Sequence, residues 1–573
     1  MLTPPTLKGM HKTPATLTGL ALLFVALIFA LLQCRCPHFN LMDDNLTTGY
    51  PFFCEVGRHL LHGEWPWYSG YIFGGHYDMA RDLQYFSWHP LYLLTSLLSE
   101  TPFHLWIIDV DAFVLYLIAA AGFVRLAINL REEGLTEASD GWILFCTLSF
   151  TFTMMALTTC ASWLTFENNA GALPWLALGI LHKQWRWGLA LITVVSAHQI
   201  LGGHPEPLVS NTFFLSLFAV GIAWWRRSWQ PLLCWGFGFA LALILVSPLL
   251  VPVVEGFFSS NRAGGVPVSD MQENNIPAIY FACSFFLGTG LALMHAAPAG
   301  MENGTYVFAL GNCAAAWCLL PAVLSHARWR FLELLSLGLF SFAVVLVCRP
   351  LWISEVLVHL PLLRAMRWPF RELVQLQFFF HLFLVLRPMT WQPRVLFLTA
   401  ATGAVAFVVP MLLNRVTPTF NNMPLDRKII LSGELEPYWA KVRPYFKPGD
   451  RFVVLLPFFP TQTDSMRLPF SYLGGFNYPM LTLVTCGSGY SQTIPSDQFY
   501  IQGPMLTHWG AYHIKQREEL LRQHPDLKFI TLEQVHPLKI TLSSNDGPTI
   551  DLTPFIPPDI LEQSARADAL LSR

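Results

Sequence analysis

The sequence predicts a polytopic α-helical membrane body followed by a small α/β domain on its outer side. Three observations carry this. Hydrophobic residues make up 53% of the 573-residue chain and charged residues 13%, with 20 Trp and 45 Phe, more apolar side chain than a soluble core needs. Apolar stretches alternate with short basic loops from about Thr13 to Leu413. After Asn414 the composition turns charged, Pro-rich and mixed in period. The expected division is a membrane domain over 1–413, with a large first outer loop at 34–103, and an extracytoplasmic α/β domain over 414–573.

Lys8, His11 and Lys12 precede the apolar run Leu17 to Leu32, and no small-residue cleavage site follows. This reads as a retained signal-anchor helix with a cytoplasmic N-terminus. Spans of about 17 to 25 residues then fall near 14–33, 104–124, 141–161, 171–182, 188–202, 208–225, 231–254, 305–324, 331–348, 372–386 and 394–413, about eleven transmembrane helices in all. The loops expected inside carry Arg125 and Arg131, Lys183 and Arg186, Arg226 and Arg227, Arg328 and Arg330, and Arg387 and Arg394. Each is short and basic, as the positive-inside rule requires. An odd number of spans places 414–573 outside, where Arg451 to Leu456 and Lys528 to Thr531 read as strands and Lys515 to Gln523 as a helix.

A net formal charge of −2 lacks the basic footprint that nucleic acid demands. Membrane lipids and neutral or anionic small molecules are the expected partners. In the first outer loop, Asp43, Asp44, Glu55, Glu64, Asp78, Asp82 and Glu100 outnumber Arg35, Arg58 and Arg81. Pro51 to Leu61 has helical spacing and stops at Gly63. Phe52, Phe53, Val56 and Leu60 stand on one side and Glu55, His59 and His62 on the other, the pattern of a helix lying in the membrane interface. Trp65, Trp67, Tyr68 and Tyr71 form an aromatic cluster suited to headgroup depth or to stacking on a sugar.

Several groups carry chemistry. Asp43 and Asp44 sit at the exit of the first span, where adjacent carboxylates can divide general-base work and cation ligation; the alternative is that they only end a helix and open a turn. Arg349, Arg364, Arg367 and Arg371 face only Glu355 and Glu372 on the outer side, against the positive-inside rule. Arginine forks grip phosphate oxygens in pairs, with Arg367 and Arg371 favoured; the alternative is snorkelling or pairing with outer acids. His204 and Glu206 fall in a tight turn between two spans, where ionisable groups are functional candidates and also ordinary surface groups.

Other polar groups need less. Asp109 and Asp111 lie close enough to the outer end of their span to be wetted, and Glu167, Asn168 and Asn169 read as another outer turn. His76, Asp78, Asp82 and His89, or Glu55, His59 and His62, supply metal-ligand types without the spacing of a zinc motif. Cys34, Cys36 and Cys54 lie outside, where a bridge from Cys54 to either of the others would brace the loop. The sequons at Asn45 and Asn303 carry no weight.

The run Asp44 to Pro51, then Leu61-His-Gly-Glu-Trp-Pro-Trp67, Tyr71-Ile-Phe-Gly-Gly75, Gln84 and His89-Pro90, resembles the first outer loop of the YfhO-like membrane proteins of the GT-C glycosyltransferase class. Gly202-Gly-His-Pro-Glu206 is similar to that family's Gly-His-Pro-Gln turn, with Glu in place of Gln. Leu360-Pro-Leu-Leu-Arg-Ala-Met-Arg-Trp-Pro-Phe-Arg371 is similar to its late Arg-x-Pro-x-Arg loop, though this chain ends without a final helix after its outer domain. The resemblance implies a GT-C-like fold in a bacterial inner membrane and inverting transfer from a polyprenyl-phosphate-linked sugar donor to a glycan, lipid or polymer acceptor. Asp44 is then base or metal ligand and Asp43 its neighbour in either role. Arg364, Arg367, Arg371, His204, Glu206 and Trp67 bind substrate, and a divalent cation is the one cofactor candidate. Two readings from other classes stand beside it: a transporter or flippase of a lipid-linked glycan, and a non-catalytic cell-envelope assembly partner.

Overall fold

The computed structural model describes residues 13–72, 77–79, 88–153, 160, 162–258, 265–272, 275–287, 313–324, 328–360, 363–365, 369–388, 424–457, 468–475, 477–486, 511–535, 537–545 and 547–562. It is 72% helical with a small sheet region near the C-terminus. Helix α1 (Pro14–Arg35) starts where the Thr13 hydroxyl accepts from the Thr16 amide at 3.3 Å and Pro14 fills the first turn, two devices that satisfy or remove orphan N–H groups. In the first loop, α2 (Tyr50–Leu61) ends at Gly63, whose φ is +74°, and α3 (Pro90–Ser96) follows. The bundle continues with α4 (Ile107–Glu132), α5 (Asp140–Thr151), α6 (Leu164–Leu181), α7 (Trp185–Gly202), α8 (Pro205–Arg226) and α9 (Gln230–Phe258), then α10 (Phe331–Cys348) and α11 (Leu373–Leu386).

Among the described residues five of these, α1, α4, α8, α9 and α10, are long and apolar enough to cross a membrane, against about eleven spans expected for the whole chain. The difference has physical causes. Of the stretch expected to span 141–161, α5 covers Asp140–Thr151, 12 residues or about 18 Å of rise against a hydrocarbon core of about 30 Å, and residues 154–159 and 161 lie outside the described residues. Helix α6 begins seven residues earlier than expected and takes in Glu167, Asn168 and Asn169, and all of it but Trp175 is buried. It is an internal helix of the bundle. Residues 305–312 and the span expected at 394–413 lie outside the described residues. Small residues let the inner helices approach: a Cβ on Gly122 of α4 would stand 2.5 Å from Nε1 of Trp175, which donates to the Ile118 carbonyl at 3.0 Å.

The C-terminal domain opens with α12 (Pro424–Ser432). Apart from the short pair β1 (Tyr68–Ser69) and β2 (Tyr77–Asp78) in the first loop, all described strands belong to one sheet in the order β4-β3-β5-β6-β7. In it β3 (Phe452–Leu456) runs parallel to β4 (Ala511–His513) and β5 (Lys528–Gln534), while β6 (Lys539–Ser543) and β7 (Ile550–Asp551) continue antiparallel. The expected strands at 451–456 and 528–531 and the expected helix at 515–523 thus form, the helix as Arg517–Gln523 after one tight turn.

This domain sits on the first loop. Cys486 N donates to the Tyr71 carbonyl at 2.8 Å, Asn477 N to Thr47 at 3.3 Å, and Arg427 to Pro37 at 2.6 Å. Direct contact requires the loop 34–103 and the C-terminal domain to occupy one face of the membrane. It also changes the role of α2, whose Phe52, Phe53 and Val56 are buried in the core shared with the C-terminal domain. Glu55, on the face expected to be wet, is buried too and pairs with Arg58. The helix is a protein-covered strut rather than a free interfacial helix.

Candidate active site

The chain leaves α1 through two left-handed residues, His38 (φ +57°) and Asp43 (φ +47°). Asp tolerates this conformation better than most side chains. At Asp43 it turns the backbone into the helical turn Asn45–Gly49, where Thr47 Oγ1 donates to the Asp43 carbonyl at 3.1 Å. Asn45 then locks the turn onto the start of α6. Its amide donates to the carbonyls of Asn40 (2.9 Å) and Cys160 (2.6 Å), and its oxygen accepts from Leu164 N at 3.0 Å. A side chain so committed is no glycan acceptor. Beside it, Trp163 Nε1 donates to Oδ2 of Asp44 at 2.5 Å. Asp43 is buried and Asp44 half-buried.

One turn along, Phe166 makes a second aromatic step, its ring 5.6 Å from Trp163. His204 packs on Phe166 at 4.7 Å and the Arg371 guanidinium stands 5.5 Å from the same ring. His204 is the N-cap of α8: its Nδ1 accepts from Glu206 N at 3.3 Å, with Pro205 in the first turn. Its backbone is tied to α6 through His204 N to the Thr165 carbonyl (3.3 Å) and Asn169 Nδ2 to the His204 carbonyl (3.1 Å). Asp44, His204, Glu206 and Arg371 are thereby brought around one helix start, with Asp43 next to Asp44.

Of the two expectations for the arginine cluster, phosphate grip or pairing with acids, Arg349 and Arg371 show the pairing. Arg371 and Glu206 are 2% and 6% exposed and form a direct ion pair, because a guanidinium at this depth needs a counter-ion. Glu206 is that counter-ion. Arg349 faces Glu372 at 3.7 Å, and Glu372 accepts from Ser210 at 2.9 Å. Arg364 is exposed, with its carbonyl bonded to Val266 N at 2.9 Å. Arg367 lies outside the described residues. Trp67 is 44% exposed and rests against Trp88, ring centroids 5.0 Å apart; none of its described contacts reaches Asp44 or Arg371.

Groups read as wetted turns prove internal. Asp109, 1% exposed, accepts from Gln33 (2.6 Å) and from the Asn40 backbone and side chain (3.1 and 3.0 Å), stitching α1 to α4. Asp111 is fully buried and accepts from Thr95 at 2.8 Å. Asn169 bridges α6 to α7 and α8 through Gln199 (2.9 Å) and Asn211 (2.9 Å). The sequence reading missed Trp163, Phe166 and Asn169. The available signal was three polar residues directly following two aromatics at the head of an apolar run.

Among the described residues no three His, Cys, Asp or Glu side chains are placed to hold a metal. Glu55 is paired with Arg58, His62 bonds the Arg58 carbonyl at 2.8 Å, and His89 bonds His198; His76 and Asp82 lie outside the described residues. Asp43 and Asp44 supply two side chains at most, one of them engaged by an indole, so the donor set does not fit a protein-built cation cage. Cys34, Cys36 and Cys54 are free thiols, so the expected brace is absent. No family model matches this chain, and neither does any curated protein or solved structure.

Proposed function

We propose that this protein is an integral-membrane glycosyltransferase of the GT-C type, taking a sugar from a polyprenyl-phosphate-linked donor and placing it with inversion on a glycan, lipid or polymer acceptor outside the cytoplasm. The observation that carries the reading is the convergence of a carboxylate and an arginine on one aromatic helix start, Asp44 on Trp163 and Arg371 on Phe166. Inverting transfer needs a base for the acceptor hydroxyl and positive charge for the departing phosphate. Asp44 takes the acceptor proton as the new glycosidic bond forms and the sugar–phosphate bond breaks. The leaving polyprenyl phosphate is received by the segment Arg364 to Arg371, in which Arg371 is already oriented by Glu206. The Trp163 and Phe166 faces offer π density to the positive charge that develops on the sugar. No step runs through a cation.

The test is transfer by the purified full-length protein in lipid nanodiscs, supplied with labelled polyprenyl-phosphate sugars. Asp44→Asn should lose about 100-fold to 10,000-fold in rate while inserting and folding normally; wild-type turnover would defeat the assignment. A transporter or flippase of a lipid-linked glycan draws on a different observation, the buried polar side chains between helices, where Asn211 and Gln375 meet at 2.6 Å and Gln199 reaches Asn169. Movement of labelled donor across vesicles without transfer would favour it.

A further inference from the structure

The turns at the far ends of α6 and α8 carry a patch that the transfer reaction does not use. Helices α4 and α8 both begin beside the first loop, where Asp109 accepts from Asn40 and His204 packs on Phe166, and both are long and apolar enough to cross a membrane. Their other ends meet, Arg226 at the end of α8 pairing with Glu133 after α4 at 3.3 Å. The turn between α6 and α7 joins them: Lys183 is 4.0 Å from Glu133, and Gln230 Nε2 donates to the His182 and Lys183 carbonyls at 3.4 and 2.9 Å. Phe331 at the start of α10 stacks on Trp225 at 6.3 Å. This edge of the bundle lies across the helices from the first loop and the C-terminal domain.

Trp185, Trp187, Trp224 and Trp229 are each more than half exposed here, interleaved with the exposed Lys183, Arg186 and Arg227. Indoles at the ends of membrane-length helices belong at headgroup depth. The Arg186 guanidinium stands 5.8 Å from the Trp185 ring. Among the described residues Glu133 is the one carboxylate paired with this group, and Arg226 and Lys183 share it, so positive charge is in excess. Arg227 is the telling residue. It ends α8 in the left-handed region, φ +50°, with Arg227 N donating to the Trp224 carbonyl at 3.2 Å and Ser228 N to the Ala223 carbonyl at 3.0 Å. Glycine is the usual choice for this helix stop, because any other side chain crowds its own carbonyl there. A strained position that keeps a long cation points to use of the cation.

We propose that Lys183, Arg186 and Arg227, framed by the four indoles, hold the phosphodiester of an anionic phospholipid. Guanidinium forks match phosphate oxygens in pairs, and the indoles seat the glycerol and upper acyl region beside them. A zwitterionic headgroup carries its own ammonium next to the phosphate, so the excess of protein cations favours the anionic lipid. The site is independent of the transferase reading.

The experiment is native mass spectrometry of the full-length protein in a neutral detergent, titrated with phosphatidylglycerol or with phosphatidylcholine of the same chains. Wild type should bind phosphatidylglycerol more tightly. Arg186→Gln and Arg227→Gly should each cut that preference about fivefold, and the double variant about 25-fold. Glycine suits the left-handed residue, so Arg227→Gly should unfold no earlier than wild type in lipid-free detergent, and it keeps the test decisive even where Arg186→Gln fails to fold. Equal binding of the two lipids by wild type, or a preference unchanged in Arg227→Gly, would overturn the proposal. Displacement of the lipid by inorganic phosphate at the same concentration would overturn it too, since the site would then read free phosphate rather than a headgroup.

Discussion

The Arg371–Glu206 pair gives the sharpest test of how the site is built. Glu206→Gln keeps the shape and one acceptor but removes the charge opposite a guanidinium that is only 2% exposed. Removing one partner of a buried pair costs about 3–5 kcal/mol, and the surviving amide oxygen argues for the lower end. That is about a hundredfold in the folding equilibrium, at roughly 1.4 kcal/mol per factor of ten. Replacing both partners, Glu206→Gln with Arg371→Gln, should recover much of the loss, since no charge is then stranded. Denaturant unfolding of the purified variants in one detergent, read as a double-mutant cycle, measures this; a coupling of about 1–3 kcal/mol is expected. The donor adds a second readout. If its phosphate meets Arg371, then polyprenyl phosphate should stabilise Glu206→Gln more than wild type, because the phosphate replaces the lost carboxylate. A Glu206→Gln cost within about 0.5 kcal/mol of zero, the value of a solvated surface bridge, would refute the buried pair and the positioning of Arg371 with it.

Other outcomes follow from the same geometry. Trp163→Phe keeps an aromatic ring but deletes the N–H on Asp44, so turnover should fall about tenfold to a hundredfold through misorientation; the smaller ring in this buried place also lowers thermal stability, so turnover is read below the unfolding temperature, and unaltered turnover would detach Trp163 from the site. Asn45→Ala strands the Cys160 carbonyl and the Leu164 amide, costing about 1–3 kcal/mol for each buried group left unpaired, a loss that thermal unfolding would register. In the C-terminal domain, burial raises the Asp426 carboxyl to about 7, against the hydrogen bonds from Ser471. The folded state therefore holds a proton that the unfolded carboxyl, with a pKa of about 3.9, has lost. Stability should fall as pH rises from about 4 to 7 and level off above, and Asp426→Asn should flatten that profile; an unchanged slope would exclude Asp426 as its source. Reporter fusions should place residues 34–103 and the C-terminal domain on one face of the membrane, and opposite faces would contradict the Asn477 to Thr47 contact.

Much of the fold was legible where local rules decide it. The apolar run behind Thr13 and Pro14 forms α1, the stop at Gly63 ends α2, and the strands at 452–456 and 528–534 form where β-branched and aromatic residues cluster. Span lengths were less legible. A hydropathy window treats polar residues as the end of a helix, so Glu167, Asn168 and Asn169 read as a turn. Inside a bundle those same residues bond to neighbouring helices, Asn169 to Gln199 and Asn211, and the helix runs through them. The same error made Asp109 a wetted residue, although Gln33 and Asn40 take its oxygen.

The site divides along the same line. Charge at a membrane exit is visible in sequence, which is why Asp43, Asp44, Glu206 and Arg371 could be picked out; which of them meet is set by packing between residues more than a hundred positions apart and leaves no local mark. Glu206 and Arg371 illustrate the limit, since one was read as a departure from a family turn and the other as a phosphate ligand or the partner of an outer acid, and each is the other's counter-ion. Asn45 illustrates it again, a sequon by pattern and a wedge in fact. Its bonds to Cys160 and Leu164 fix the residue after Asp44 to the start of α6, Trp163 fixes the Asp44 side chain, and Phe166 one turn later meets Arg371 and His204. The carboxylate therefore takes its position from the start of α6, while the arginine touches that start through Phe166 and is held by Glu206 at the start of α8. A change in the loop before Asn45 bears first on the carboxylate, and a change in the turn after Gly203 bears first on the arginine.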